Sequence, residues 1–167
     1  MAPKRKLTLA ERGLAAFAVY WDRETWELSR SAYMADLDDL PKCPDSWIGW
    51  FQRALERHVR RSARARAALE VPVPERNPSG SQGALKDAGE PLDGFTKTHV
   101  VPADLKAKIE QAITDDRAKM GRMVSRSQFA REAAAAAIGE TRARRGGRRL
   151  PLAPDPLPNK PPKRARA

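Results

Sequence analysis

FTKTHVVPADLKAKIEQAITDDRAKMGRMVSRSQFAREAAAAAIGE, residues 95–140, is the stretch on which the reading of this chain turns. Lys97 to Val101 reads as an extended segment and stops at Pro102, a residue that loses nothing at a first helical turn because its missing amide would be unpaired there. Asp104 then complements the positive end of the helix dipole. Leu105, Ile109, Ala112 and Ile113 recur at helical spacing, predicting an amphipathic helix to about Ala118. Gly121 marks a turn. Ser125 and Gln128 have the spacing of a capping box, and Val124 with Phe129 that of a hydrophobic staple, so a second helix opens at Ser125. Such a cap is worth about 1 kcal/mol. Phe129, Ala133, Ala136, Ala137 and Ile138 make the apolar face of that helix. One strand and two helices bury too little surface to stand alone, and no staple is available. The stretch therefore calls for a dimer.

Working outward, Thr8 and Glu11 also have capping-box spacing, and Leu14, Phe17, Ala18, Trp21 and Leu28 follow at intervals that suit a helix. That helix is expected to stop near Met34, because Asp36, Asp38 and Asp39 are unfavourable at a helix C-terminus and Pro41 follows. A second helix starts at Asp45 or Ser46, with Trp47, Trp50, Phe51, Ala54, Leu55, His58 and Val59 as its stripe. Residues 1–70 thus read as a helical hairpin. All four tryptophans, Trp21, Trp26, Trp47 and Trp50, fall within it, as core filling in preference to a base-stacking platform. Arg57, Arg60, Arg61, Arg64 and Arg66 share no face and read as a solvated helix end. Residues 71–94, rich in Pro, Gly and Ser, read as a flexible linker that tethers the N-terminal unit to the C-terminal one. Residues 141–167 carry nine basic residues against the single acid Asp155 and read as a disordered basic tail. No internal repeat is visible.

A formal net charge of +11 with a pI near 10.4 points to a polyanionic partner, nucleic acid before others. The single cysteine, Cys43, excludes an internal disulfide and suits a reducing cytoplasm. No apolar run reaches the roughly 18 residues of a transmembrane helix, and Glu11, Arg12 and Gly13 interrupt what would be the core of a signal peptide. The sequence carries no nucleophile motif and no Gly-rich phosphate loop. With His58, His99 and Cys43 scattered, no metal site or cofactor is expected. A binding protein is expected, not an enzyme.

The extended segment TKTHVV, the helix PADLKAKIEQAI and the capped helix SRSQFAREAAAAAI together resemble the ribbon–helix–helix family of DNA-binding proteins. The resemblance covers about a quarter of the chain. It implies a mainly α fold: an N-terminal helical hairpin, a linker, and a C-terminal ribbon–helix–helix domain at 95–140 that dimerises by pairing its strand with that of a second copy. The dimeric ribbon would enter the major groove of double-stranded DNA. The family register turns Thr96, Thr98 and Val100 toward DNA and Lys97, His99 and Val101 toward the helices. A slip of one residue would exchange the two faces, bringing Lys97 and His99 outward. Thr96 and Thr98 are the expected base readers, with Lys97 as a phosphate or edge contact. The helix start at Ser125, Arg126 and Ser127 is the expected phosphate site. The long N-terminal region also resembles centromere-binding, ParB-type components of plasmid partition. That implies a cytoplasmic, DNA-associated bacterial protein with a ParA-type ATPase as partner and Arg5 as a residue that could stimulate it. A repressor on the same fold, or a scaffold that binds nucleic acid loosely, is the alternative.

Overall fold

The computed structural model describes residues 5–71, 94–155 and 157. Thr8 and Glu11 form the reciprocal cap: the Thr8 amide and hydroxyl donate to the Glu11 carboxylate at 2.8 and 3.0 Å, and the Glu11 amide to the Thr8 hydroxyl at 3.3 Å. What the cap opens lasts one turn. A 3-10 segment, Ala10–Arg12, ends at Gly13, whose φ of 68° is left-handed and suits glycine. The chain leaves it as strand β1, Leu14–Asp22.

The expected N-terminal helical hairpin is thus corrected. Phe17 and Trp21 stand four residues apart, a spacing that fits one face of a helix and one face of a strand equally well. Val19 decides between them. It is buried with Phe17 and Trp21 while Ala16 and Ala18 are exposed, an alternation of period two. Helix α1, Arg23–Asp39, begins only after Asp22, whose carboxylate accepts the Thr25 amide at 2.9 Å. It also runs past Met34. The carboxylate that should have ended it, Asp36, is buried and accepts from the Trp50 indole, the Thr141 hydroxyl and the Arg144 guanidinium at 2.8, 2.9 and 2.7 Å. Helix α2, Trp47–Arg60, is capped by Ser46, and a short α3, Ala63–Ala67, by Ser62.

Strand β2, Gly94–Pro102, lies antiparallel to β1, with Leu14 opposite Pro102, Ala18 opposite Thr98 and Asp22 opposite Gly94. The pairing expected from a second copy is supplied by the same chain, so the dimeric C-terminal ribbon is overturned. The physical reason lies in the inner face. Lys97 and His99 are poor core residues, and β1 sets Phe17 opposite His99 and Trp21 opposite Phe95, bringing the apolar bulk that β2 lacks. Helix α4, Ala103–Met120, follows β2 directly and ends at Gly121, again left-handed with φ 63°. Helix α5, Arg126–Arg144, is capped by Ser125, whose hydroxyl accepts the Gln128 amide at 3.0 Å.

Strand–helix–helix therefore occurs twice, as β1-α1-α2 and β2-α4-α5, about a local two-fold at the centre of the ribbon. The capping serines Ser46 and Ser125 and the buried acids Asp36 and Asp116 stand at corresponding places in the two units. Few other corresponding positions share a residue, which hides the repeat from the sequence. The units are not tethered side by side. Helix α5 packs on α1 and α2, α3 on α4, and one apolar cluster runs from Phe17 through Trp50 and Phe51 to Ile109 and Phe129. Trp21 and Trp50 are buried in it, and Trp26 and Trp47 pack against it.

The expected solvated arginine end is corrected at Arg66, which is buried and pairs with Asp116 at 2.8 Å. The first part of the expected tail is also ordered into the fold: α5 extends to Arg144, Leu150 and Leu157 pack against the core, and Arg30 donates to the Pro154 carbonyl at 2.6 Å. The linker reading at 72–93 and the rest of the tail reading lie outside the described residues.

Candidate nucleic-acid interface

Among the described residues the helices cover one face of the ribbon and leave the other open. Residues opposite one another in an antiparallel pair share a face. The inner set is Phe17, Val19 and Trp21 with Phe95, Lys97, His99 and Val101. The outer set is Ala16 with Val100, Ala18 with Thr98, and Tyr20 with Thr96. Ala16, Ala18, Thr96, Thr98 and Val100 are exposed and Tyr20 half-buried. Its ring lies across Gly94, where an added Cβ would meet the phenol oxygen at 2.1 Å. Lys97 emerges at the rim, with Nζ 4.6 Å from the centroid of the Trp26 ring.

Both outer edges of the ribbon are tied down by the second helix of the opposite unit. The Tyr20 amide donates to the Ser127 hydroxyl at 2.8 Å, and Arg131 donates to the Tyr20 carbonyl at 2.7 Å. On the other edge Gln52 donates to the Val100 carbonyl at 3.4 Å. Gln52 and Arg131 each stand six residues beyond their capping serines, Ser46 and Ser125. The ribbon is therefore held at matching points on its two strands, a rigid support for whatever its outer face meets.

The residues expected to hold phosphate divide. The hydroxyls of Ser125 and Ser127 are engaged by the Gln128 and Tyr20 amides, and Arg126 lies at the surface in an ion pair with Glu110. Arg5 is exposed, lies in the segment before β1 and not in the ribbon itself, and pairs with Glu11 at 2.9 Å. Residues missed from sequence are Ala16, Ala18 and Tyr20, the β1 half of the outer face. The alternation through FAVYW was the available signal.

His99 belongs to the inner face. It is 6% exposed, its Nε2 accepts the Trp21 indole N–H at 3.0 Å, and the Trp26, Trp47 and Phe51 rings surround it. Burial, with a smaller contribution from the Lys97 charge, lowers its pKa from 6.5 to about 4. An open groove of ≈ 630 Å³ runs beside it, lined by Trp26, Trp47, Phe95 and Lys97 and bordered by Asp155 and Leu157 from the C-terminal segment. Between pH 6.5 and 4 the unfolded chain takes up a proton at this histidine and the folded chain does not. Stability is thus complete above about 6.5 and is lost as the pH falls toward 4, by about 3 kcal/mol from this group. His99→Gln keeps an acceptor for the Trp21 indole and does not titrate. Urea titrations across that range should show a shallower acid loss in the variant, and an unchanged slope would refute the assignment.

Among the described residues no group of three His, Cys, Asp or Glu side chains is placed to hold a metal ion, and no helix is long and apolar enough to cross a membrane. Comparison with protein-family models, with curated proteins and with solved structures finds no match to this chain.

Proposed function

We propose that this chain binds double-stranded DNA by laying the outer face of its intrachain ribbon in the major groove. The observation that carries the reading is a two-stranded ribbon whose inner face is sealed by helices and whose outer face presents six uncharged side chains from two paired strands. The major groove, about 12 Å wide, admits a two-stranded ribbon and displays a distinct pattern of donors, acceptors and methyl groups for each base pair. The net charge of +11 supplies the sequence-independent attraction to phosphates that such contact needs. Lys97 at the rim and the exposed Arg12 and Arg23, which flank β1, are the cations nearest in sequence to the face. A ParA-type ATPase as a further partner rests on the resemblance of the long N-terminal region to ParB-type proteins, and the ion pair of Arg5 with Glu11 adds no support to it. Partition and repression both begin with the same DNA contact, and the proposal is of that contact.

Thr98 sits at the centre of the outer face and is exposed, so substitutions there test binding with little disturbance of the fold. Thr98→Glu sets a carboxylate against the bases and phosphates and is expected to weaken duplex binding more than 100-fold in fluorescence anisotropy, an estimate that follows from burying an unpaired like charge. Thr98→Ala should cost about tenfold on the preferred sequence and little on random duplex. Circular dichroism should be unchanged in both. Wild-type affinity in Thr98→Glu would remove the ribbon from the interface.

A further inference from the structure

Because the ribbon is built from two different strands, we infer that its target is a non-palindromic DNA sequence read by a single chain. This rests on the DNA-binding reading above. A ribbon made from two copies of one strand repeats its readers about the two-fold axis, and the DNA site mirrors that symmetry. Here the two-fold that relates the units maps Ala16 onto Thr96, Ala18 onto Thr98 and Tyr20 onto Val100. None of the three pairs is chemically alike. One end of the outer face carries Ala16 and Val100, which offer only methyl groups, and the other carries the Tyr20 ring beside the Thr96 hydroxyl. The centre is equally unbalanced, with Ala18 beside Thr98.

The chemistry at each end names what it can take. Alanine and valine side chains contact the C5-methyl group of thymine and gain nothing from an exposed acceptor or donor. Hydroxyls donate to guanine N7 or O6 or thymine O4 and accept from the amino groups of cytosine or adenine. The Ala16–Val100 end is thus suited to thymine-rich steps and the Tyr20–Thr96 end to base edges with hydrogen-bonding groups. The support beneath the face differs as well: Arg131 holds the Tyr20 carbonyl and Gln52 the Val100 carbonyl. One chain completes the face, so a second copy is not needed to read one site.

The test is selection of bound duplexes from a random library by the full chain, followed by mass determination of the complex on the shortest enriched site. The expected result is an enriched sequence without dyad symmetry, bound by one chain. The triple substitution Ala16→Thr, Ala18→Thr and Tyr20→Val copies the β2 readers onto β1 and makes the outer face symmetric. Its enriched sequence should become a palindrome, and its affinity for the original site should fall about 100-fold, as for two misread base pairs. A palindrome enriched by the wild-type chain, or two chains on the shortest site, would overturn the inference while leaving DNA binding in place. So would a triple variant that folds normally and selects the wild-type sequence. Failure to enrich any duplex would overturn the DNA-binding reading itself, and the inference with it.

Discussion

Glu132→Ala is expected to lower the unfolding free energy by about 3–5 kcal/mol, the usual cost of removing one partner from a buried charged cluster. Glu132 is wholly buried and accepts from Arg122 at 2.6 and 3.1 Å, from Gln128 at 3.1 Å and from His58 at 3.2 Å. Burial by itself would raise its pKa, but the hydrogen bonds from His58, Arg122 and Gln128 outweigh it and hold the carboxyl below its ordinary value. His58 is pushed the other way: burial lowers its pKa despite the neighbouring carboxylate. The contact is therefore a neutral imidazole donating to a carboxylate. Arg61, which approaches Nδ1 at 3.2 Å as a donor, leaves Nε2 to carry the proton toward Glu132. The cluster continues through Arg122 to Asp116 at 3.0 Å and on to Arg66. Truncating Glu132 strips the His58 N–H of its acceptor and leaves Arg122 with one carboxylate where it had two. Domains of this size have only about 5–15 kcal/mol in total, so the melting temperature should drop by about 10 °C or more. Glu132→Gln retains an acceptor and should cost less than half as much. A loss under about 1 kcal/mol in Glu132→Ala, measured by urea titration at pH 7, would mean that the cluster opens to water.

The cluster also explains what sequence reading could and could not reach. Helices α2, α4 and α5 announce themselves because caps at Ser46, Gly121 and Ser125 flank long apolar stripes, and those signals are local. Strand β1 hides because Phe17 and Trp21 satisfy two periods at once and a good cap at Thr8 precedes them. Its partner stands across the whole first unit and the linker, so the pairing that makes it a strand is not a local property. The repeat hides for a related reason. Corresponding positions such as Tyr20 and Val100, or His58 and Ala137, answer to different neighbours, and few positions besides Asp36 with Asp116 and the capping serines keep the match. Arg66 read as solvated because its acid, Asp116, lies on α4. The outer face was half legible: Thr96, Thr98 and Val100 follow from the register of the family that the stretch resembles, while Ala16, Ala18 and Tyr20 show only once the alternation through FAVYW is read as a strand.

The C-terminal unit alone, residues 94–157, is expected to remain without a cooperative thermal transition, a result opposite to that of a self-sufficient dimerising domain. Cutting away residues 5–71 removes Phe17, Val19 and Trp21 from the inner face of the ribbon and Trp50, Phe51 and Leu55 from the shared cluster. It also removes Arg66 from Asp116 and His58 from Glu132, leaving two buried acids short of partners. A second copy could not replace what is lost. Paired about Thr98, two β2 strands would set His99 opposite Lys97 twice over on the inner face, where β1 now places Phe17 and Val19. Two ammonium groups and two imidazoles would then face the helices, at a cost of several kcal/mol for each charge left without a partner. Circular dichroism should show partial helix from α4 and α5 that melts without a midpoint, and sedimentation should show a monomer. Adding residues 5–71 as a separate chain should restore the transition, because the missing strand and helices return in trans. A folded, stable dimer from residues 94–157 alone would show that β2 can build its own ribbon, and the pairing of β1 with β2 would then be one of two arrangements open to the same sequence.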